Sequence, residues 1–572
     1  MMACFGFDSP PSWFRFGKDF IPGGTMTKTT VFTAKKIITM NPSRPLATHV
    51  AVRDGRILAA GTGEKMAGWG PFEVNDDFAD MVLTPGFVEG HAHAMEGGIW
   101  DYTYVGFQDR WDPNGRRWPG AADIDAVLAR LTEAETQLPD AETPLFAWGL
   151  DPIYFGGGRM SVTHLDRVSA TRPILVLHSN GHLLNVNSRI LEMAGITADT
   201  NVYGVLKDET GKPTGELMEM AAKYMAYRQT GNPFFGGIRT PSLLSYAKSA
   251  VNCGVTTATD LFATFNAESL AAYKEASLMP GYALRLLPAM NTIEQPLDEG
   301  LALMKQAMAM NNDRLHHRLC KVMTDGSIQG FTARLKWPGY YNGKPNGLWN
   351  MDPAQLAELV MHYHKAGMHL HIHTNGDEAS EVMLDAVEAA QETHYRPDHR
   401  HTLQHCQMAD ASQFRRMHKL GMCVNLFANH VHYWGDQHAG ITMGPDRARR
   451  MDACATALKE GVPLAIHSDA PVTPMAPLFT AWCAVNRLTA SGVTLGPEER
   501  ISAEAALHAI TLGAAYTLRM DHLVGSIEPG KYADFAVLDA SPLDVAPDAI
   551  RDIKVAGTIS GGDFHAAATR QG

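Results

Sequence analysis

Apolar and polar positions follow two rhythms along the chain. Near both ends they alternate in short runs, and between the ends they fall into strand-then-helix blocks. TVFTAKKIITM is followed by HVAVRDGRILAAG, where Asp54-Gly55 between two apolar runs is a strong hairpin signal. Near the other end, GSIEPGKYADFAVLDASP and IKVAGTISGGDF again read as strand and turn. Strand-rich pieces at both ends predict one small β domain built from both termini, with a larger domain inserted between them. The middle of the chain carries eight short apolar strands, at Met81–His91, Val255–Asp260, Ala283–Met290, Cys320–Asp325, His369–His373, His401–His405, Gly421–Phe427 and Pro463–Asp469. Helical blocks such as DPAQLAELVMHYHKAG separate the later ones. Alternating strand and helix predicts parallel β/α architecture, and eight strands suit a closed barrel. About 160 residues lie between the first two strands, too many for a loop, so an inserted subdomain is expected there. PLFAWGLD and ILVLHSNGH are its strand candidates, with a hairpin around residues 209–212.

Composition narrows the function. The chain has 572 residues, is 45% apolar and only 19% charged, and carries a net charge of −12. That balance disfavours nucleic acid and anionic membrane as partners, and no apolar run reaches transmembrane length. Seven scattered cysteines without a CxxC do not make a disulfide framework, so a reducing, cytoplasmic setting is expected. Residues 1–26 contain Pro10-Pro11 and lack the pattern of a signal peptide, and they are set aside as a leader or loose arm. The outstanding count is 25 histidines, a residue that binds metals and carries protons near neutral pH.

In a β/α barrel, chemistry sits at the carboxyl ends of the strands. Strand one ends in Gly90-His91-Ala92-His93, and on extended backbone His91 and His93 point to the same side. Lys321 lies at the end of strand four in KVMTDGS, and His373 on strand five in HIHTNGD. His405 follows in LQHCQ, and Asp469 in AIHSDAP at the end of strand eight. Polar groups at the ends of apolar strands are costly to bury without a partner, and their order around one barrel predicts a shared metal site.

PGFVEGHAH, the strand lysine, the two strand histidines and the final SDA resemble the metal-dependent amidohydrolase superfamily. KVMTDGS, HIHTNGD, LQHCQ, HSDAP, GHLLNVNS and TGELME resemble its YtcJ-like branch, amidohydrolase family 3, which includes N-substituted formamide deformylases. Two departures stand out: Glu89 replaces the Asp common two residues before HxH, and LQHCQ replaces the commoner Ile-Glu-His.

The resemblance implies a distorted TIM (β/α)8 barrel over residues 85–520, with an insertion at about 95–250. It also implies a small β-sandwich from residues 27–84 and 521–572. It implies one or two divalent metals per chain, usually zinc. His91, His93 and Asp469 would hold one, His373 and His405 the other, and Lys321, carboxylated by CO2, would bridge them. The implied reaction is cleavage of an amide or N-formyl C–N bond by metal-bound hydroxide, with Asp469 moving the proton. Ester, lactone or carbamate hydrolysis and lyase or isomerase chemistry are the alternatives, and a non-catalytic metal-binding relative is the least favoured.

Among weaker candidates, His182 in SNGHLLNVNS is a possible donor to the substrate, with Trp148, Asn375, Gln407 and Trp434 as substrate contacts. Asp325 reads as an orienting residue, and Glu216 and Glu219 as a solvated helix start. The aromatics of the insertion and the late loops suit either the core of the insertion, their commoner fate, or a pocket for a small apolar or aromatic substrate. A homo-oligomer, a dimer, is expected.

Overall fold

The computed structural model describes residues 28–156, 158–234 and 238–569. The arm expected over residues 1–26 lies outside them. Eight parallel strands form one sheet in strict sequence order: β1 (Phe87–Glu89), β2 (Val255–Ala263), β3 (Arg285–Asn291), β4 (Leu319–Met323), β5 (His369–Thr374), β6 (Thr402–His405), β7 (Cys423–Leu426) and β8 (Leu464–Ile466). Helices such as Pro353–Lys365, Asp377–Thr393 and Ala411–Leu420 run between successive strands and bury one face against the sheet. At the seam, just beyond β1 and β8, the Asp469 N–H donates to the His91 carbonyl at 3.0 Å and the His93 N–H to the Ala470 carbonyl at 2.8 Å. The sheet is thus curled into a TIM-like barrel. No described helix is long and apolar enough to cross a membrane.

The run read as one strand, Met81–His91, is two. Val82–Pro85 belongs to the chain-end sheet and Phe87–Glu89 to the barrel. Gly86 makes the handover, because a Cβ there would stand 2.0 Å from the Thr256 Oγ1 on β2. His91 and His93 therefore lie in the loop after β1, held extended by the seam hydrogen bonds rather than by a strand.

Both chain ends contribute to a second, eight-stranded sheet. Its order is Asp563–Ala566, Val555–Ser560, Phe535–Leu538, Val82–Pro85, Thr29–Ile38, Leu46–Arg53, Arg56–Gly61, with Phe72–Asn75 beside the first half of Thr29–Ile38. The sequence led us to expect a sandwich here, whereas hydrogen bonding joins these strands in one sheet. Phe32, Ile37, Val50, Leu83, Phe535 and Ile559 cover one face of it, and Val31, Ala51 and Met66 form a smaller cluster. The insertion has its own six-stranded sheet, which includes the expected strands as Leu145–Leu150 and Ile174–His178. The expected hairpin joins Val205–Lys207 to Pro213–Met218. Among the described residues no cysteine forms a disulfide.

The barrel is fastened to the chain-end sheet by a buried ion pair. Arg285, the first residue of β3, donates two hydrogen bonds to the carboxylate of Asp534, at 2.6 and 2.9 Å. Its guanidinium also lies 3.3 Å from the ring centroid of Tyr532, which Arg56 covers at 3.5 Å. Both members of the pair are nearly inaccessible to solvent. Removing one partner of such a pair strands the other charge and costs about 3–5 kcal/mol. Asp534→Ala is expected to lose about that much in denaturant unfolding, and an unchanged midpoint would refute the assignment.

Candidate functional site

At the carboxyl end of the barrel, side chains from the β1 loop, β4, β6 and the β8 loop converge on Asp469. Its Oδ1 lies 3.4 Å from His91 Nε2 and 3.2 Å from His93 Nε2, and its Oδ2 lies 3.8 Å from His405 Nδ1. The Lys321 Nζ is 3.3 Å from His91 Nε2. Lys321 is the middle residue of β4 rather than its end, so it rises from within the barrel. His405 and Asp469 hold left-handed backbone, with φ of 63° and 54°. A non-glycine residue in that region is strained and persists only where its surroundings fix it.

Glu89 and Gln404 fix these residues. The Glu89 carboxylate accepts from the Ser468 N–H and hydroxyl, at 3.2 and 2.8 Å, which ties β1 to the turn before Asp469. Burial pushes its carboxyl up to about 7 against those hydrogen bonds. The Gln404 Oε1 accepts from His91 Nδ1 at 2.8 Å and from Asn425 Nδ2 at 3.0 Å, while its Nε2 donates to His371 Nδ1 at 2.6 Å. A position that must accept on one side and donate on the other suits an amide better than a carboxylate, which explains the departure at LQHCQ. With its Nδ1 proton committed to Gln404, His91 keeps an unprotonated Nε2 for a cation.

The donor set fits a divalent transition metal. His91, His93 and Asp469 form one tight group and His91, His405 and His467 a second. Two ligand atoms about 2.1 Å from one tetrahedral ion stand about 3.4 Å apart, which matches the spacings from Asp469 to His91 and His93. The His405 Nδ1 and both ring nitrogens of His467 are buried without hydrogen-bond partners among the described residues. Burial, followed by neighbouring cationic groups, pushes His91, His405 and His467 well below the usual imidazole range, so the rings are neutral, as ligands must be. Lys321 is lowered to about 7 by burial, with Asp469 pulling the other way.

His373 sits beside this group, its ring 4.6 Å from that of His405, but it belongs to neither tight cluster. Its Nε2 lies 3.3 Å from the Gly326 carbonyl and 3.6 Å from Asp325. Asp325 accepts from the backbone N–H groups of Arg334, Asn375 and Gly376 at 2.9–3.0 Å, and so orders the loops after β4 and β5.

The cluster forms one wall of a cavity between the barrel and the insertion. Trp148, Met95, Ile99, Leu177 and Phe262 give it an apolar side, and His182 and Lys223 a polar one. Trp148 and His182, both expected to contact substrate, line this cavity. Three other expected substrate contacts do not line it. Asn375 donates to the Gly326 carbonyl at 2.9 Å, Gln407 faces His438 at 3.1 Å, and the Trp434 indole donates to Asp151 at 2.8 Å. Each finds a nearer buried partner than the cavity offers. The expected solvated helix start is also corrected: Glu216 and Glu219 are buried, paired with Arg159 and His182. Lys223 lines the cavity and His467 joins the cluster, neither of them expected there from the sequence. The Glu219-x-x-x-Lys223 spacing, one helical turn, was the available signal for Lys223.

The amidohydrolase family model matches residues 77–565. The chain is 27% identical to Protein LONG AFTER FAR-RED 3 of Arabidopsis thaliana, over 92% of this chain and 90% of that one. It is 25% identical to the putative amidohydrolase YtcJ of Bacillus subtilis, over 92% and 97%. It is also 25% identical to the N-substituted formamide deformylase of Arthrobacter pascens, over 91% and 95%. An uncharacterized metal-dependent hydrolase from Pyrococcus horikoshii shares the fold, with a TM-score of 0.69 at 19% identity, over 91% of this chain and 99% of that one.

The Lys321 environment gives a pH signature. Its amine titrates near 7 when folded and at its ordinary value of 10.5 when unfolded. Between those values the unfolded chain binds the extra proton, so this group makes stability rise with pH. Metal-free protein in CO2-free buffer is expected to gain stability from pH 7 to pH 9 relative to Lys321→Met. Parallel stability curves would show that the amine is not desolvated.

Proposed function

The chain belongs to the amidohydrolase family, and from that premise we propose that it hydrolyses a non-peptide C–N bond, of amide or N-formyl type, in a small, largely apolar substrate. The observation that carries the reading is the convergence of His91 and His93 on one oxygen of Asp469 in the wall of a mostly apolar cavity. The relative named as an N-substituted formamide deformylase supports the choice of bond. His91, His93 and Asp469 would hold one divalent cation, zinc by the chemistry of the ligands, with His405, His373 and Lys321 beside it. Such a cation acidifies a water molecule and polarises a carbonyl.

The chain's own groups do the rest. Asp469 touches two of the histidines through Oδ1, leaving Oδ2 to take a proton from water and return it to the departing nitrogen. The apolar wall around Trp148 holds the substrate body and excludes water. Lys321 is buried, and its lowered titration leaves a neutral amine available near neutral pH. That amine attacks the carbon of CO2 and loses a proton, and the resulting carbamate adds an anion where an ammonium would repel a cation.

Asp469→Asn is expected to keep its metal and lower kcat on N-substituted formamides by roughly 10²–10⁴-fold. Turnover within a few-fold of the parent would move the proton-transfer role elsewhere. Isotopically labelled bicarbonate should give a carbamate carbon resonance in the parent and none in Lys321→Ala. Its absence from metal-loaded, active parent would rule out the modified lysine.

A further inference from the structure

Beside His373, in the same cavity, lies a second polar group outside the two tight clusters. Glu219 opens the helix Glu219–Thr230 directly after the strand Pro213–Met218, with φ at 59°. Strained backbone at a non-glycine residue is a reason to look for a role. Glu219 grips His182 twice. Its backbone N–H donates to the His182 carbonyl at 2.8 Å, and its carboxylate oxygens lie 2.9 and 3.1 Å from His182 Nδ1. The His182 N–H donates in turn to Asn180 Oδ1 at 2.9 Å.

The space for this carboxylate is built in from the barrel side. A Cβ on Gly326, in the loop after β4, would stand 2.0 Å from Thr332 Oγ1 and 2.4 Å from Glu219 Oε1, so glycine there leaves room for both side chains. One turn along the helix, buried Lys223 donates to the Gly181 carbonyl and places its charge near Glu219. The ring so held lines the cavity, with its centroid 5.4 Å from that of His373. A carboxylate at Nδ1 keeps the proton on that nitrogen and leaves Nε2 for another partner.

We propose that Glu219 is a positioning residue for His182, and that His182 contacts the scissile group of the substrate through Nε2 from its place in the cavity lining beside His373. The inference rests on the hydrolase reading above for the identity of the scissile group.

Glu219→Gln preserves shape but can present an N–H to Nδ1 and move the ring proton. We expect Glu219→Gln and His182→Gln each to lower kcat on N-substituted formamides by about 10–100-fold, the usual loss when an orienting partner is removed. KM, metal content and Tm should stay close to those of the parent. The double variant should be no slower than His182→Gln alone, because the two residues act as one unit. A merely structural Glu219 predicts a lowered Tm and losses that multiply. Parental kcat in Glu219→Gln, or multiplicative losses in the double variant, overturns the proposal.

Benzohydroxamate binding to the metal-loaded protein, measured by calorimetry, separates this inference from the choice of substrate. Both single variants should bind it about tenfold more weakly even if no formamide is turned over, and unchanged affinity in both overturns the proposal. A parent that binds benzohydroxamate but cleaves no amide or formamide counts against the hydrolase reading alone.

Discussion

The site depends on one electrostatic constraint: His91, His93, His405, His467 and the Lys321 amine crowd around a single carboxylate, Asp469, in a largely buried space. So many basic groups cannot all be protonated there. Burial drives most of these rings to the neutral form and brings the amine down with them. The resulting lone pairs must then be aimed, and much of the surrounding structure does that. Gln404 commits the Nδ1 proton of His91, Glu89 braces the turn before Asp469, and the seam hydrogen bonds hold His91, His93 and Asp469 in register. The strained φ values at His405 and Asp469 are part of the same arrangement.

The convergence of His91, His93, His405 and Asp469 was legible because it obeys simple rules. Period-two geometry pairs His91 with His93 on any extended segment, and a polar residue on an apolar barrel strand has few destinations other than the axis. The order of the barrel strands and the place of the insertion followed from the same alternation. What the sequence hid lies in loops and junctions, where tertiary contacts decide. The break at Gly86 depends on the proximity of Thr256, which no local pattern reveals. Asn375, Gln407 and Trp434 are near the site in sequence, but each is turned toward a buried partner of its own. Glu219 reads as an ordinary exposed helix start until Gly326 and His182 are brought up against it.

The cavity joins two kinds of surface. The barrel contributes imidazoles, an amine and a carboxylate, all fixed by strands or by hydrogen bonds to strands. The insertion contributes Trp148 and Leu177 from its own sheet, together with His182. The cluster around Asp469 thus comes from the barrel, while much of the remaining lining comes from the insertion. Side chains on the insertion can vary without disturbing the ligands, which is one physical route by which a single barrel serves many substrates.

The sheet shared by the two chain ends has a consequence for biogenesis. Val82–Pro85 pairs on one side with Thr29–Ile38 and on the other with Phe535–Leu538. During synthesis the early strands emerge long before their late neighbour, and meanwhile they present an open edge of backbone donors and acceptors. Such edges recruit other chains. The intervening barrel brings the two ends together by folding, so its assembly shortens an otherwise very long loop closure. The ring that carries the chemistry is thereby also the scaffold on which the nascent chain completes itself, and a slow step in the barrel prolongs the exposure of the unfinished sheet.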